Sequence, residues 1–159
     1  MRTILSFCSE LPVLTFEPGA VLLAEGASTG VLYVLVEGEI EVVKGDFQIT
    51  SVTEPGSIFG ETSVLLGMPH TATVKTVTTA RVHVVRNAEA FLQERPEITY
   101  QLARLLAQRL HGVTTYLVDL KQQFKDAGNH LGMVDIVLET LVHQQNEDVS
   151  TGSDRDPTM

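Results

Sequence analysis

Seven short runs of apolar and β-branched residues lie between residues 13 and 85, and most of them are separated by glycines. Glycines at positions 19, 26, 30, 38, 45, 56 and 60 punctuate these runs. Runs this short, each ended by residues that favour a turn, are typical of an all-β sandwich or barrel. The predicted strands are Val13–Phe16, Ala20–Ala24, Leu32–Val36, Glu39–Val43, Gln48–Val52, Thr71–Thr76 and Arg81–Val85.

The segment Pro55–Val74 interrupts this strand pattern and predicts a binding site. A proline–glycine turn opens it, and Gly60 allows neighbouring backbone to approach closely. Glu61–Leu66 then reads as a helix so short that its first N–H groups lack partners within it, which favours a small anion. Because a carboxylate at Glu61 would repel a phosphate, we expect it to accept hydrogen bonds from hydroxyl groups. A ligand that carries both a phosphate and a sugar hydroxyl satisfies both groups.

Three motifs in this region resemble one known family. The pattern F-G-E-x-x-x-L-L-x-x-P-x-x-A-x-V, which begins at Phe59, is similar to the phosphate-binding cassette of cyclic nucleotide-binding domains. That family includes catabolite activator proteins, regulatory subunits of cyclic-AMP-dependent kinase and cyclic-nucleotide-gated channels. E-P-G-A-V-L-L-A-E-G from Glu17 and L-Y-V-L-V-E-G-E-I-E-V from Leu32 follow the family's order and spacing. The resemblance covers roughly residues 11–125. It implies a mainly β fold, an eight-stranded jelly roll that carries the cassette and is flanked by helices.

The resemblance also implies a ligand, cyclic AMP or cyclic GMP, and a set of residues that contact it. In the family the cassette glutamate, here Glu61, binds the ribose 2′-hydroxyl. The predicted ligand-contacting residues are Phe59, Gly60, Glu61, Thr62, Ser63, His70, Thr71, Ala72 and, on a later helix, Thr114. Simpler interpretations stay open for some of them. Glu61 alone could be an acid stabilised by the helix dipole, Thr62 and Ser63 could cap the helix, and Thr114 could lie on a helix surface.

His70 departs from the family pattern, which has an arginine just after the cassette proline. Arginine offers a phosphate a forked and permanently charged partner, whereas a histidine with its reference pKa near 6.5 is mostly neutral at pH 7. The loss of such a charged hydrogen bond costs about 1.5–3 kcal/mol. Either the nucleotide still binds, with His70 assisting, or the pocket has lost its ligand. The first interpretation is favoured because Glu61, Thr71 and Ala72 persist. If His70 carries charge at the phosphate, affinity should rise as pH falls from about 8 to 6.

A helical pattern replaces the strand pattern after Asn87. The sequence predicts a short helix over Ala88–Glu94 and a long one that begins at Pro96. Apolar residues on the long helix recur every three or four positions, which favours either a homodimer or packing on the β-roll. One further helix is predicted at Met133–Val142. The expected divisions are 1–12, a β-roll over 13–86, helices over 87–126 and 130–144, and a disordered tail over 145–159.

Composition and motif content limit the function classes. The net charge of −9 argues against DNA as the main partner, since a surface that binds DNA normally carries a basic patch. No apolar run reaches membrane-spanning length, and the apolar stretch at the N-terminus is too short for a secretory signal. Cys8 is the only cysteine, which suits a reducing, cytoplasmic location.

The sequence shows no sign of catalysis or of a metal site. The five histidines are scattered without the closely spaced H-x-H of metal-binding cupins, and no G-x-S-x-G motif is present. A helix-turn-helix is not expected, because only one short acidic helix follows Lys125. We therefore expect a stand-alone regulatory domain that acts on an unidentified protein partner by moving its C-terminal helices. The alternative is a nucleotide-free scaffold or dimerisation module of the same fold.

Overall fold

The computed structural model describes residues 4–124 and 130–143. The described residues divide into two compact units, the first ending at Leu102 and the second beginning at Ala103. The elements in chain order are α1 (Ile4–Phe7), β1 (Val13–Phe16), β2 (Val21–Leu23), β3 (Leu32–Glu37), β4 (Ile40–Lys44), β5 (Phe47–Val52), β6 (Ile58–Phe59), α2 (Glu61–Leu66), β7 (Thr73–Thr76), β8 (Ala80–Val85), α3 (Ala88–Glu94), α4 (Pro96–Gln123) and α5 (His130–His143).

The first unit holds two four-stranded sheets with the strand orders β1-β8-β3-β6 and β2-β7-β4-β5. The paired strands are antiparallel. The predicted eight-stranded, mainly β fold with C-terminal helices is therefore confirmed. Seven strands lie where the glycine-punctuated runs predict them, and none of their ends differs from the prediction by more than two residues. The eighth, β6, is only two residues long and pairs with Tyr33 and Val34 of β3.

Apolar side chains between the two sheets form the core of the first unit. The buried cluster consists of Leu22, Leu23, Leu35, Ile40, Phe59, Val74, Ala80, Val82 and Val84. Full burial of such a side chain contributes about 1.5–3 kcal/mol relative to leaving it exposed. The core includes Phe59 just before α2 and Val74 just after it, so both ends of the cassette are anchored in the sheets.

The helices begin near the positions that the sequence predicts. α3 spans the predicted Ala88–Glu94, and α4 begins at Pro96, where a missing N–H costs no helical hydrogen bond. α5 begins at His130, three residues before the predicted Met133. No helix among the described residues is both long and apolar enough to cross a membrane.

The second unit contains α4 from residue 103 onward and α5. An ion pair between Lys121 and Asp135 connects the two helices. Leu110 and Val113 of α4 are 45% and 51% exposed in the single chain, and a homodimer through this helix stays a prediction. The end of the helical region expected at residue 126 and the tail expected over 145–159 lie outside the described residues.

Candidate functional site

The segment from Phe59 to Ala72 leads from β6 through α2 toward β7. Gly60 is the N-cap of α2 with φ of 96°, and Gly67 is its C-cap with φ of 64°. At the C-terminal end, the Gly67 N–H donates to the Ser63 carbonyl, and the Ser63 hydroxyl donates to the Met68 carbonyl. The C-terminal end of α2 is thus capped by a backbone hydrogen bond and by the side chain of the buried Ser63.

Gly60 cannot be replaced without moving the backbone around it. A Cβ at this position would lie 2.7 Å from the Val31 carbonyl oxygen and 3.2 Å from the Leu23 side chain. The positive φ adds a second penalty, because side chains of L-residues disfavour this region. Gly67 shares the positive φ, but a Cβ there would meet nothing within 4 Å. Substitutions at the two glycines can therefore be compared to separate the free-energy cost of the left-handed backbone from the cost of steric overlap.

We expect Gly60→Ala to destabilise the domain clearly more than Gly67→Ala. Both substitutions pay the left-handed backbone cost of about 1–2 kcal/mol, and only Gly60→Ala also forces Val31 to move. Urea unfolding of the two variants and the wild type measures the difference. Equal losses in the free energy of unfolding would show that the backbone at Val31 adapts freely to the added methyl group.

Glu61 is the first residue of α2 and is half-buried, whereas its neighbour Thr62 is exposed. Glu61 thus lies at the junction of β6 and α2, directly after Gly60, whose backbone comes close to the start of β3. Its position at the helix start also suits an acid, because the helix dipole favours negative charge there. Both interpretations given by the sequence are compatible with this position.

His70 is buried, with only 4% of its surface exposed, and faces the loop between β2 and β3. Its ring Nε2 lies 2.8 Å from the Thr29 hydroxyl oxygen, at hydrogen-bond distance. Its backbone N–H donates to the Ala27 carbonyl, and its carbonyl accepts from the Gly26 N–H. Burial lowers the pKa of His70 below its ordinary value, so the neutral imidazole is favoured.

Thr71 and Ala72 connect His70 to β7 and lie beside the end of β4. Thr71 is exposed and Ala72 is half-buried. The ammonium of Lys44 donates to the Thr71 carbonyl at 3.2 Å. The Glu25 N–H donates to the Thr73 hydroxyl at 3.1 Å. The C-terminal end of the cassette is therefore attached both to β4 and to the segment after β2.

An open cavity of about 310 Å³ lies beside the cassette, between the β2–β3 loop, the end of α2 and the turn after β8. Thr29, Ser63 and Arg86 are among its lining residues, while Glu61 and Thr71 are not. Thr114 is half-buried on α4 in the second unit, and its contact with a nucleotide stays a prediction.

Sequence reasoning missed Thr29 and Lys44. Thr29 stands in a loop of small polar residues, and Lys44 precedes the glycine of a tight turn. Their contacts with the cassette come from loop packing and from the pairing of β4 with β7, neither of which a local motif encodes.

The model of the family described as the cyclic nucleotide-binding domain matches residues 13–94, just over half of the chain. The chain belongs to the cyclic nucleotide-binding domain family. The family resemblance inferred from the three motifs is thus confirmed. Every predicted ligand residue except Thr114 lies within the matched range.

Individual relatives agree with this assignment. The chain is 31% identical over 123 residues to a CRP-like cAMP-activated global transcriptional regulator of Mycobacterium tuberculosis, an alignment that covers 74% of this chain and 55% of the relative. The chain thus spans about half the length of the curated relatives that it matches first. In fold it is similar to a cyclic nucleotide-binding domain from Methylobacillus flagellatus, with a TM-score of 0.56, 22% identity and coverage of 78% and 71% of the two chains. It also matches the N-terminal domain of a transcriptional regulator from Streptomyces coelicolor, with a TM-score of 0.52, 25% identity and coverage of 69% and 82%.

Proposed function

We propose that this cyclic nucleotide-binding domain binds its ligand at the cassette, between the start of α2 and the start of β7. The observation that carries the proposal is the fold of residues 59–72. The structure forms the turn at Gly60, the short helix and the return to β7 in the order that the family motif implies. In this proposal the Glu61 carboxylate accepts a hydrogen bond from the ribose 2′-hydroxyl. The phosphate lies toward Thr71 and Ala72, where backbone N–H groups and polar side chains meet it.

Cyclic AMP is the first candidate ligand, because the Mycobacterium tuberculosis relative is described as cAMP-activated. Cyclic GMP shares the ribose and the cyclic phosphate, so the same cassette groups can hold it. We propose further that binding shifts the C-terminal helices, and that this movement is read by a protein partner. A ligand can shift such an equilibrium only by its difference in affinity for the two arrangements. Titration with each nucleotide therefore tests the proposal first.

A second candidate function is a nucleotide-free scaffold, and the environment of His70 favours it. The residue that replaces the family arginine is buried against Thr29, and burial favours its uncharged form. A pocket without a charged partner for the phosphate would lose roughly ten- to hundredfold in affinity. Absence of binding to both nucleotides at millimolar concentration would favour this second function.

We expect nucleotide affinity to rise as pH falls, and the rise to continue below pH 6.5. A bound phosphate favours the imidazolium form, so binding raises the pKa of His70 and takes up part of a proton. In the free protein the pKa of His70 is lowered by burial, which extends the range of proton uptake to more acidic pH. The change is at most about tenfold per pH unit, the limit for one proton. Calorimetric dissociation constants between pH 8 and pH 5.5 measure it.

His70→Gln is the control for this experiment, because glutamine keeps a donor and cannot take up the proton. The nucleotide affinity of the His70→Gln variant should not depend on pH. The unfolded chain protonates His70 more readily than the folded chain, so the stability of the wild type falls as pH drops below about 6.5. The folded fraction must therefore be checked by circular dichroism at each pH. If the wild-type affinity does not change with pH, or if His70→Gln shows the same pH dependence as the wild type, His70 does not contact the phosphate.

A further inference from the structure

Lys44 is the last residue of β4 and lies beside the point where the cassette returns to the sheet. β4 pairs with β7 through Val43 and Thr73, so Lys44 is one residue beyond the last paired position. Its ammonium nitrogen lies 3.2 Å from the Thr71 carbonyl oxygen and donates to it. A strand that is distant in sequence thus brings a cationic group to the C-terminal end of the cassette.

The side chain of Lys44 leaves β4 on the face that is turned toward the core. Alternate residues of a strand share a face, and Ile40 and Val42 precede Lys44 at two-residue intervals. Ile40 is fully buried between the sheets, and Val42 packs against the same core. Lys44 itself is the last residue of the strand and is exposed. From this position its ammonium reaches the Thr71 carbonyl.

Neighbouring hydrogen bonds hold this end of β4 against the cassette. The Glu25 carboxylate accepts from the Gly45 N–H at 3.0 Å, while the Glu25 N–H donates to the Thr73 hydroxyl at 3.1 Å. One residue thus bridges the turn after Lys44 and the start of β7. The distance from the Lys44 backbone to Thr71 is set by these bonds as well as by the strand pairing.

We propose that Lys44 supplies the positive charge for the ligand's phosphate, in place of the arginine that the family pattern has at position 70. This inference rests on the proposed function. His70 is buried against Thr29 and favours its neutral form, whereas Lys44 brings an exposed cationic ammonium to the Thr71 carbonyl. The present partner of the ammonium is a neutral carbonyl, and a phosphate oxygen beside Thr71 is a stronger acceptor for it. Lysine contributes a single compact charge and no fork, so the contact is electrostatic and sensitive to salt.

The test is a calorimetric titration of the wild type, Lys44→Gln and Lys75→Gln with cyclic AMP at pH 7.5. Glutamine at position 44 keeps a donor for the Thr71 carbonyl and removes only the charge. Lys75 is a matched control, because it lies on β7 and is ion-paired with Glu41. We expect Lys44→Gln to weaken binding by about tenfold. Lys75→Gln should stay within about twofold of the wild type, since the Lys75 ammonium is held by Glu41 and has no contact with the cassette carbonyl at Thr71.

Adenosine, which lacks the phosphate, provides the second measurement. Its affinity should be the same for the wild type and Lys44→Gln, and only the wild type's affinity for cyclic AMP should fall steeply with added salt. Wild-type binding of cyclic AMP that Lys44→Gln leaves unchanged overturns the role of Lys44 and leaves the proposed function standing. Equal weakening by Lys75→Gln also overturns it, because a general loss of positive charge would then explain the result. No wild-type binding overturns both proposals together.

Discussion

Glu61→Ala should weaken nucleotide binding by at least about tenfold and leave the fold nearly unchanged. In the proposed site the carboxylate is the acceptor for the ribose hydroxyl, and its removal leaves that hydroxyl without its charged partner. Glu61 is half-buried at the first position of α2 and is not among the buried core residues. Loss of the acid at the helix start removes its interaction with the helix dipole, which is typically worth 0.3–1 kcal/mol. Calorimetry and urea unfolding measure the two effects on one sample.

Two controls make the Glu61 result specific. Glu61→Gln keeps the size of the side chain and an acceptor oxygen, so its affinity should lie between those of the wild type and Glu61→Ala. A 2′-deoxy cyclic nucleotide lacks the hydroxyl and should bind the wild type and Glu61→Ala with similar affinity. If Glu61→Ala binds the complete nucleotide as tightly as the wild type, the Glu61 carboxylate does not contact the ribose hydroxyl.

His70→Arg should tighten binding by roughly ten- to hundredfold. A guanidinium offers the phosphate a forked partner with permanent charge, and it can also donate to the Thr29 hydroxyl that now contacts the imidazole. The variant should lose the pH dependence of the wild type, because arginine does not titrate in this range. Dissociation constants at pH 6 and pH 8 show both effects.

The same substitution also tests whether position 70 and Lys44 meet one phosphate. If they do, His70→Arg in the Lys44→Gln background should recover most of the affinity that Lys44→Gln loses. The longer side chain enters a site that is 4% exposed, so unfolding curves must first establish that the variant is folded. A folded His70→Arg protein that binds no more tightly than the wild type would show that position 70 does not reach the phosphate.

The strands and the cassette could be predicted from the sequence because their signals are local. Gly60 is one example. A glycine between a strand and a short helix is needed where φ is positive and where the backbone of Val31 comes within reach of a Cβ. β6 was not identified as a strand, because two residues carry no measurable alternation. Its existence depends on pairing with β3, which only the folded chain shows.

The chemistry around His70 could be predicted only in part. Its departure from the family pattern is visible in the sequence, and it raised the question of charge at the phosphate. Its burial against Thr29, and hence the direction of its pKa shift, depends on where the β2–β3 loop packs. The contact of Lys44 with Thr71 likewise arises from strand pairing across 27 residues of chain. Contacts of this kind are set by topology and not by local residue patterns.

Calorimetric titration of the wild-type domain with cyclic AMP and cyclic GMP tests the central claim most directly. The account predicts saturable binding of at least one of them with one site per chain, and no binding of the corresponding linear 5′-monophosphate at the same concentration. Thermal unfolding followed in parallel should shift upward with the bound nucleotide, since a ligand that binds only the folded state stabilises it. A folded protein that gives neither heat nor a thermal shift with either nucleotide up to millimolar concentration would contradict the account.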